Sequence, residues 1–357
     1  MSDSEVRDHL LERATEGWVA RERLPNRYGQ PPKWIRRDRI KPQHVMEEFG
    51  EAEAMLVGVD WGGTKIEAIA LDDDGRTIAR LREPTPRSDY EGCLATIGAV
   101  VRRVETEAGA SAPVGVGIPG SVDPRTGIAK GASSTWLNGR SVEADLRLTL
   151  KREVRIANDA DCFAVSEAVD GAGAGHNVVF AVILGSGAGA GIAFAGNAHH
   201  GPNNSAGEWG HNPLPRPDVT EIPGPSCYCG RYGCLERWVS GWSFARDYHE
   251  HASIDLVASE LLAPAQIIDR MRQGDRLAKL VWHRYVDRVA RGLSIVVNTV
   301  DPDILIFGGG MANIDELYED LPQRLAAETF SPCFYTPIIR AIHGDSSGVR
   351  GAAWLWR

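Results

Sequence analysis

The sequence predicts an α/β protein of two lobes around a cleft, and three observations in the chain predict it. From Met55 onward, short apolar segments of strand length alternate with stretches of helical periodicity. That alternation runs twice, so the second half of the chain repeats the grammar of the first. In each half a glycine-rich turn separates the first two strands. Strands alternating with helices require a mainly parallel sheet covered on both faces, and two such halves leave a cleft between them.

The elements follow in order. Met55–Asp60, Ile66–Leu71 and Thr77–Arg82 read as a β-meander, with Asp72-Asp73-Asp74-Gly75 as a turn. A helix over about Tyr90–Ala108 leads to the strand Val114–Ile118. A second, about Val142–Arg152, leads to the strand Val154–Ala157, and a third covers Asp161–Val169. The second half opens on strands at Val178–Leu184 and Ala190–Phe194, followed by a turn at Gly196-Asn197. Helices over about Pro264–Gln273 and Leu277–Val300 precede the strand Ile304–Phe307. A helix near Ile314–Ala327, a strand at Ile338–Ile342 and a terminal helix from Gly348 complete the reading. The expected domains are an N-terminal extension over 1–53, a first lobe over 54–172 and a second over 173–357, with the last helix packing back on the first lobe.

The extension reads as an amphipathic helix (Leu10, Leu11, Ala14, Trp18), a connector through Pro25, Pro31 and Pro32, and a basic patch of Lys33, Arg36, Arg37, Arg39 and Lys41. Its basic and acidic residues nearly cancel and no helix-turn-helix pattern is visible. It is therefore expected to dock on the body through Trp18, Trp34 and Ile35 rather than to bind nucleic acid. The net charge of −9 over 357 residues also argues against a nucleic-acid partner. No secretory signal opens the chain, and the longest apolar run, Val178–Leu184, is too short for a bilayer. A reducing cytoplasm, without a membrane partner, is the expected location.

Three of the six cysteines fall in Cys227-Tyr228-Cys229-Gly230-Arg231-Tyr232-Gly233-Cys234, with His211 a short loop upstream. Thiolate and imidazole are the donors Zn²⁺ prefers, and four of them close a tetrahedral structural site. The alternative is a disulfide plus a spare thiol, although Cys227 and Cys229 are too close to pair comfortably. Glu208 and Glu236 bracket the cluster, so the metal would also brace two carboxylates.

The first glycine loop is Asp60-Trp61-Gly62-Gly63-Thr64-Lys65. Gly62 and Gly63 let backbone N–H groups approach phosphate oxygens, Thr64 adds a hydroxyl and Lys65 a cation. Asp60, at the strand end, suits Mg²⁺ held through water. The second loop, Gly185-Ser186-Gly187-Ala188-Gly189-Ala190-Gly191, takes the same place in the second half. The third, Gly308-Gly309-Gly310-Met311, suits a nucleoside lying against exposed backbone. Neither a Rossmann fingerprint nor a Walker loop is present. Asn158-Asp159 closes one strand and opens a helix. It reads either as an N-cap or, in the case of Asp159, as the base that takes a proton from an attacking hydroxyl in phosphoryl transfer.

These motifs, with Gly117-Ile118-Pro119-Gly120, Glu208-Trp209-Gly210-His211 and Ile306-Phe307-Gly308-Gly309-Gly310, occur in the order seen in ROK-family sugar kinases. The strings Ser134-Thr135-Trp136-Leu137-Asn138-Gly139 and His343–Trp354 resemble bacterial fructokinases that also take mannose. The resemblance implies an actin-like ATPase (ribonuclease H-like) fold with ATP at the glycine loops Gly62 to Lys65, Gly185 to Gly187 and Gly308-Gly309. It implies Asp159 as catalytic base toward the 6-hydroxyl of fructose, or of mannose or glucose. Gly120, Asn138, Asn158, Glu208, His211 and Glu236 would hold the sugar, His211 doubling as a zinc ligand. Mg²⁺ would accompany ATP, and a homodimer is the usual assembly. The chain departs from the family's pattern in three ways. Trp61 replaces a small aliphatic residue and is expected to press on the nucleotide or the extension. Ser186, which keeps the hydroxyl, and Ala188 stand where the second loop commonly has Thr and a varied residue. Ser133 stands where an Asn usually touches the sugar. The alternative function is a sugar-responsive transcriptional regulator of the same family. Against it stand the intact Asp60, Gly62, Gly63 and Asp159 and an extension too short for a winged helix.

Overall fold

The computed structural model describes residues 55–252, 261–331 and 333–357, together with the backbone of two short strands further upstream. Those strands, β1 (Trp18–Ala20) and β2 (Trp34–Arg36), pair antiparallel with Val19 opposite Ile35. They belong to a unit, Met1–Ala54, separate from the compact unit Met55–Arg357. Trp18 therefore stands in a strand and not on the expected helix, because its backbone pairs with Arg36. The remainder of that helix, the prolines and most of the basic patch lie outside the described residues, as do the side chains expected to dock.

The larger unit is built on two five-stranded sheets with matching order. The first runs β5 (Thr77–Pro84), β4 (Lys65–Leu71), β3 (Leu56–Trp61), β6 (Val114–Ile118) and β9 (Val154–Asn158). The second runs β12 (Asn197–Ala198), β11 (Ala188–Phe194), β10 (Val178–Leu184), β13 (Ile304–Gly308) and β14 (Ile338–Arg340). In both, an antiparallel meander of three strands continues into parallel neighbours: β3 with β6 and β9, and β10 with β13 and β14. The central parallel strands β6 and β13 are buried along their whole length, as sheets covered on both faces require. A small hairpin, β7 (Ser121–Val122) with β8 (Ala129–Lys130), follows β6; the sequence reading did not contain it.

Each sheet has its own apolar core. Val57, Val59, Trp61, Ile97, Val114 and Leu146 pack on the first, where α1 (Tyr90–Ala108) and α2 (Val142–Leu150) cover one face. Phe180, Val182, Trp282, Tyr285, Phe307 and Leu317 pack on the second. α7 (Arg276–Val300) contributes Trp282 and Tyr285 to that second core. Asp275 starts α7 by accepting from the amides of Leu277 and Ala278 at 2.8 and 3.0 Å. Among the described residues no helix is long and apolar enough to cross a membrane.

Two helices meet where the halves of the chain come together. α3 (Asp159–Val169) follows β9 and lies on β10 and β11, and the last helix, α9 (Ser347–Trp354), lies on β3 and β6 of the first sheet. The approach is backbone to backbone, which only glycine permits. A Cβ on Gly115 of β6 would sit 1.7 Å from the Ala352 carbonyl oxygen, and one on Gly351 of α9 would sit 1.6 Å from that of Cys162. The start of α9 is tied to α3 as well. The wholly buried Glu167 accepts from Ser347 Oγ at 2.8 Å, and Asp170 takes both His343 and Arg350. Gly115→Val is expected to lower unfolding free energy by at least about 2–3 kcal/mol in urea titration. A wild-type midpoint would mean that α9 does not dock on β6 in solution.

Candidate active site

Three carboxyl groups come close enough to act on one another's charge. Asp60 is the last residue but one of β3, Asp159 begins the helix after β9, and Glu208 lies on the loop that follows the second meander. Burial, and then the negative charge of Asp159, push the Asp60 carboxyl up to about 7, with Lys65 and Arg82 opposing. Asp159 is pushed up to about 6, mainly by desolvation and further by Asp161 and Glu208, against a hydrogen bond from the Ala160 amide. Asp159 is exposed to solvent, although protein atoms stand close enough around its carboxyl to desolvate it.

The two readings of Asn158-Asp159 divide between the two residues. Asn158 is the N-cap of α3, accepting from the Ala160 amide at 2.8 Å. Its Nδ2 donates to the Gly120 carbonyl at 2.8 Å, which joins the Pro119-Gly120 turn to the helix start. Because Asn158 takes the capping position, α3 begins two residues earlier than the periodicity indicated. Asp159 keeps an exposed carboxyl, with Oδ1 2.9 Å from the Ala160 amide.

The first glycine turn is held from outside by the segment after β5. Thr85 Oγ1 donates to the Gly62 carbonyl at 2.7 Å, the Thr85 amide to that of Thr64 at 3.0 Å, and Arg87 Nε to that of Gly63 at 3.1 Å. All three turn carbonyls are thus engaged, whereas among the described residues the amides of Gly63 and Thr64 donate to no backbone carbonyl. Trp61 differs from expectation. It is fully buried and stacks on Tyr90 with ring centroids 5.8 Å apart, because alternation along β3 turns it into the core while the half-buried Asp60 points to the other face. Lys65 differs too: its Nζ lies 3.4 Å from Glu67 Oε2, on the face of β4 they share.

The second and third turns meet each other. Gly309 adopts φ 82°, and a Cβ there would lie 2.6 Å from the Leu184 carbonyl that leads into Gly185-Ser186-Gly187. β11 begins at Ala188, two residues before the expected strand, since backbone pairing with Leu184 and Ile183 recruits the small residues Ala188 and Gly189. A Cβ on Gly187 would lie 2.7 Å from Glu236 Oε2, and that carboxylate accepts from the Ala188 amide at 3.3 Å. Glu236, expected at the sugar, is therefore a neighbour of the second glycine turn. Asn138 is occupied elsewhere. Its amide closes the 132–138 loop, accepting from Ala132 N at 2.9 Å and donating to Ala132 O at 3.1 Å.

The ligand atoms of His211, Cys227, Cys229 and Cys234 all lie within 4.8 Å of one another. The Cys229 and Cys234 sulfurs are 3.6 Å apart, close to the roughly 3.8 Å that two 2.3 Å bonds make at a tetrahedral ion. His211 turns Nδ1 toward Cys227 Sγ, 3.6 Å away, and Nε2 toward Glu208 Oε2, 3.9 Å away. Tyr228, which the sequence reading passed over, donates or accepts at His211 Nε2 from 2.9 Å; its position between two cysteines was the available signal. Trp209 anchors the Glu208–His211 turn by donating Nε1 to the Gly292 carbonyl of α7 at 2.9 Å. The same helix grips the approach to the cysteines: Arg288 and Arg291 pair with buried Glu221 at 2.8 and 3.0 Å.

Paired sheets of this order, glycine turns at equivalent corners and an aspartate at a strand end define the actin-like ATPase fold. Residues 56–357 match the ROK family. The chain belongs to the ROK family and groups with its sugar kinases. It is 37% identical over 305 residues to the N-acetyl-D-glucosamine kinase of Pectobacterium atrosepticum, covering 84% of this chain and 98% of that protein. The Haemophilus influenzae enzyme of that name is 36% identical, covering 85% of this chain and 99% of its own length. Among solved structures, the ROK hexokinase from Thermus thermophilus is 28% identical with a TM-score of 0.74, covering 84% of this chain and 97% of its own. A ROK family glucokinase from Streptomyces griseus, in complex with glucose and AMPPNP, is 26% identical with a TM-score of 0.68, covering 84% and 98%. The relatives named N-acetyl-D-glucosamine kinase lend no support to the fructose preference drawn from the Ser134–Gly139 and His343–Trp354 strings.

Proposed function

We propose that this chain is an ATP-dependent hexose kinase that transfers the γ-phosphate to the 6-hydroxyl of its sugar. The observation that carries the reading is Asp159: an exposed carboxyl directly after β9, near Glu208 and Asp60, and pushed up to about 6. A base with that pKa is ionised at neutral pH yet still basic enough to accept a hydroxyl proton. Gly62 to Lys65, Gly185 to Gly187 and Gly308-Gly309 would receive ATP. Asp60 would hold the water shell of Mg²⁺, which neutralises charge between phosphates. Asn158, Glu208, His211 and Glu236 would bond the other sugar hydroxyls, so a sugar lacking one of them would leave a carboxylate unpaired. Zn²⁺ at His211, Cys227, Cys229 and Cys234 would keep the Glu208 and Glu236 segments in register. ATP and reduced thiols both suit a cytoplasmic enzyme.

Two acceptors head the candidates. N-acetyl-D-glucosamine is favoured by the relatives' activities, and fructose, with mannose or glucose behind it, by the two sequence strings. A coupled ADP-release assay with Mg-ATP against all four sugars and N-acetylmannosamine tests the reading. The expected result is turnover of at least one hexose, with the 6-phosphate as product. Turnover of none would end the kinase reading, and a product phosphorylated at another carbon would end the assignment of the 6-hydroxyl.

A further inference from the structure

We propose, resting on the kinase reading, that Tyr228 competes with the sugar for His211: its hydroxyl occupies the one ring nitrogen that a sugar hydroxyl would take, and the sugar must displace it. The two nitrogens of His211 have different neighbours. Nδ1 faces Cys227 Sγ at 3.6 Å, on the side of the four-ligand cluster, which leaves Nε2 for any other partner. A ring nitrogen carries either one proton or one lone pair, so Nε2 makes a single hydrogen bond. The Tyr228 hydroxyl already lies 2.9 Å from it, with the two rings edge to face at 84° and their centroids 5.0 Å apart. Glu208 Oε2, at 3.9 Å, is too far to bond the same nitrogen.

The carboxylates assigned to the sugar are not limited in this way. Glu208 and Glu236 each have two oxygens with several lone pairs, so they can accept from sugar hydroxyls without giving up a neighbour. The competition therefore falls on His211. Beyond burial, the charges of Glu236 and Glu208 act on the Tyr228 hydroxyl, so it stands among the groups assigned to the sugar. Displacing it needs only rotation of the side chain. Tyr228 is 70% exposed, and among the described residues its hydroxyl bonds nothing but His211. The backbone around it is held separately, Cys227 N donating to the Arg231 carbonyl at 2.8 Å and Gly230 N to that of Cys227 at 3.0 Å. The ring can thus leave His211 while the cysteines stay together.

Calorimetric titration of the full chain with N-acetyl-D-glucosamine, fructose, mannose and glucose tests this without turnover. A sugar that binds the wild type should bind Tyr228→Phe about two- to tenfold more tightly, since Phe keeps the ring and loses the competing hydroxyl. Mg-AMPPNP affinity, metal content and Tm should match the wild type. In fluorotyrosine-labelled protein, the fluorine NMR resonance that Tyr228→Phe removes should shift when sugar is added. Unchanged sugar affinity in the variant, or an unshifted resonance, would overturn the proposal and leave the kinase reading standing. Weaker binding would overturn it as well, by making the hydroxyl a direct sugar contact. A wild-type chain that binds none of the four sugars would overturn both.

Discussion

Asp159→Asn is expected to lower kcat by about a thousandfold, the span a positioned general base supplies being roughly 10²–10⁴, while sugar and Mg-ATP affinities stay within a few fold. The substitution is conservative where the fold needs it. Asn keeps an oxygen to accept from the Ala160 amide, 2.9 Å from Asp159 Oδ1, and the N-cap belongs to Asn158 in any case. It removes only the ionisable group. Desolvation and the nearby Asp161 and Glu208 raise the Asp159 pKa to about 6, so kcat/KM of the wild type should fall as pH drops below about 6. That acidic limb should vanish in the variant. The same shift sets the sign of the stability effect. A carboxyl whose folded-state pKa is raised costs stability once ionised, and the cost is relieved as pH falls from about 6 toward the ordinary value of 3.8. The variant should therefore melt at or slightly above the wild-type temperature at pH 7. Steady-state assays across pH, with binding titrations beside them, read all of this; near-wild-type turnover would remove Asp159 from the mechanism.

Stripping the proposed zinc, or substituting Cys229→Ser, is expected to weaken sugar binding at least tenfold and to lower the melting temperature by several degrees. Nucleotide binding should stay within twofold. The four ligand atoms already lie within 4.8 Å of one another, so the ion's contribution is to hold His211 and the Cys227–Cys234 turn together. His211 would then keep Nε2 aimed toward Glu208, and the start of α4 (Glu236–Val239), two residues past Cys234, would stay in register. Elemental analysis of the purified chain should find one zinc per protein. Absence of metal, or sugar affinity unchanged after chelation, would refute the brace.

Much of this architecture was legible because it is local. Val178–Leu184, Val114–Ile118 and Tyr90–Ala108 form with the bounds their apolar periodicity indicated. The glycine turns were legible from their equivalent places in the two meanders. α5 (Gly241–His251) was not assigned, since it opens on Gly241-Trp242-Ser243 and depends on Ser240, whose side chain accepts from the Ser243 amide at 3.2 Å. The site was read less completely. Arg87 and Thr85 follow the meander without a motif of their own and become part of the turn only when β5 returns alongside β4.

The sequence by itself determined the alternation of strands and helices, the matched glycine corners, the aspartate at the end of β9 and the four-ligand set, all of them matters of spacing along the chain. Tertiary structure alone decided which of these groups are free to act. Cross-strand register puts Glu67 between Asp60 and Arg82 and draws Lys65 to the sheet, alternation buries Trp61, and loop closure occupies Asn138 with Ala132. The physical reason is that a side chain's chemistry depends on the charge and the hydrogen-bond partner facing it. Those partners come from strands and loops that only folding brings within a few ångströms.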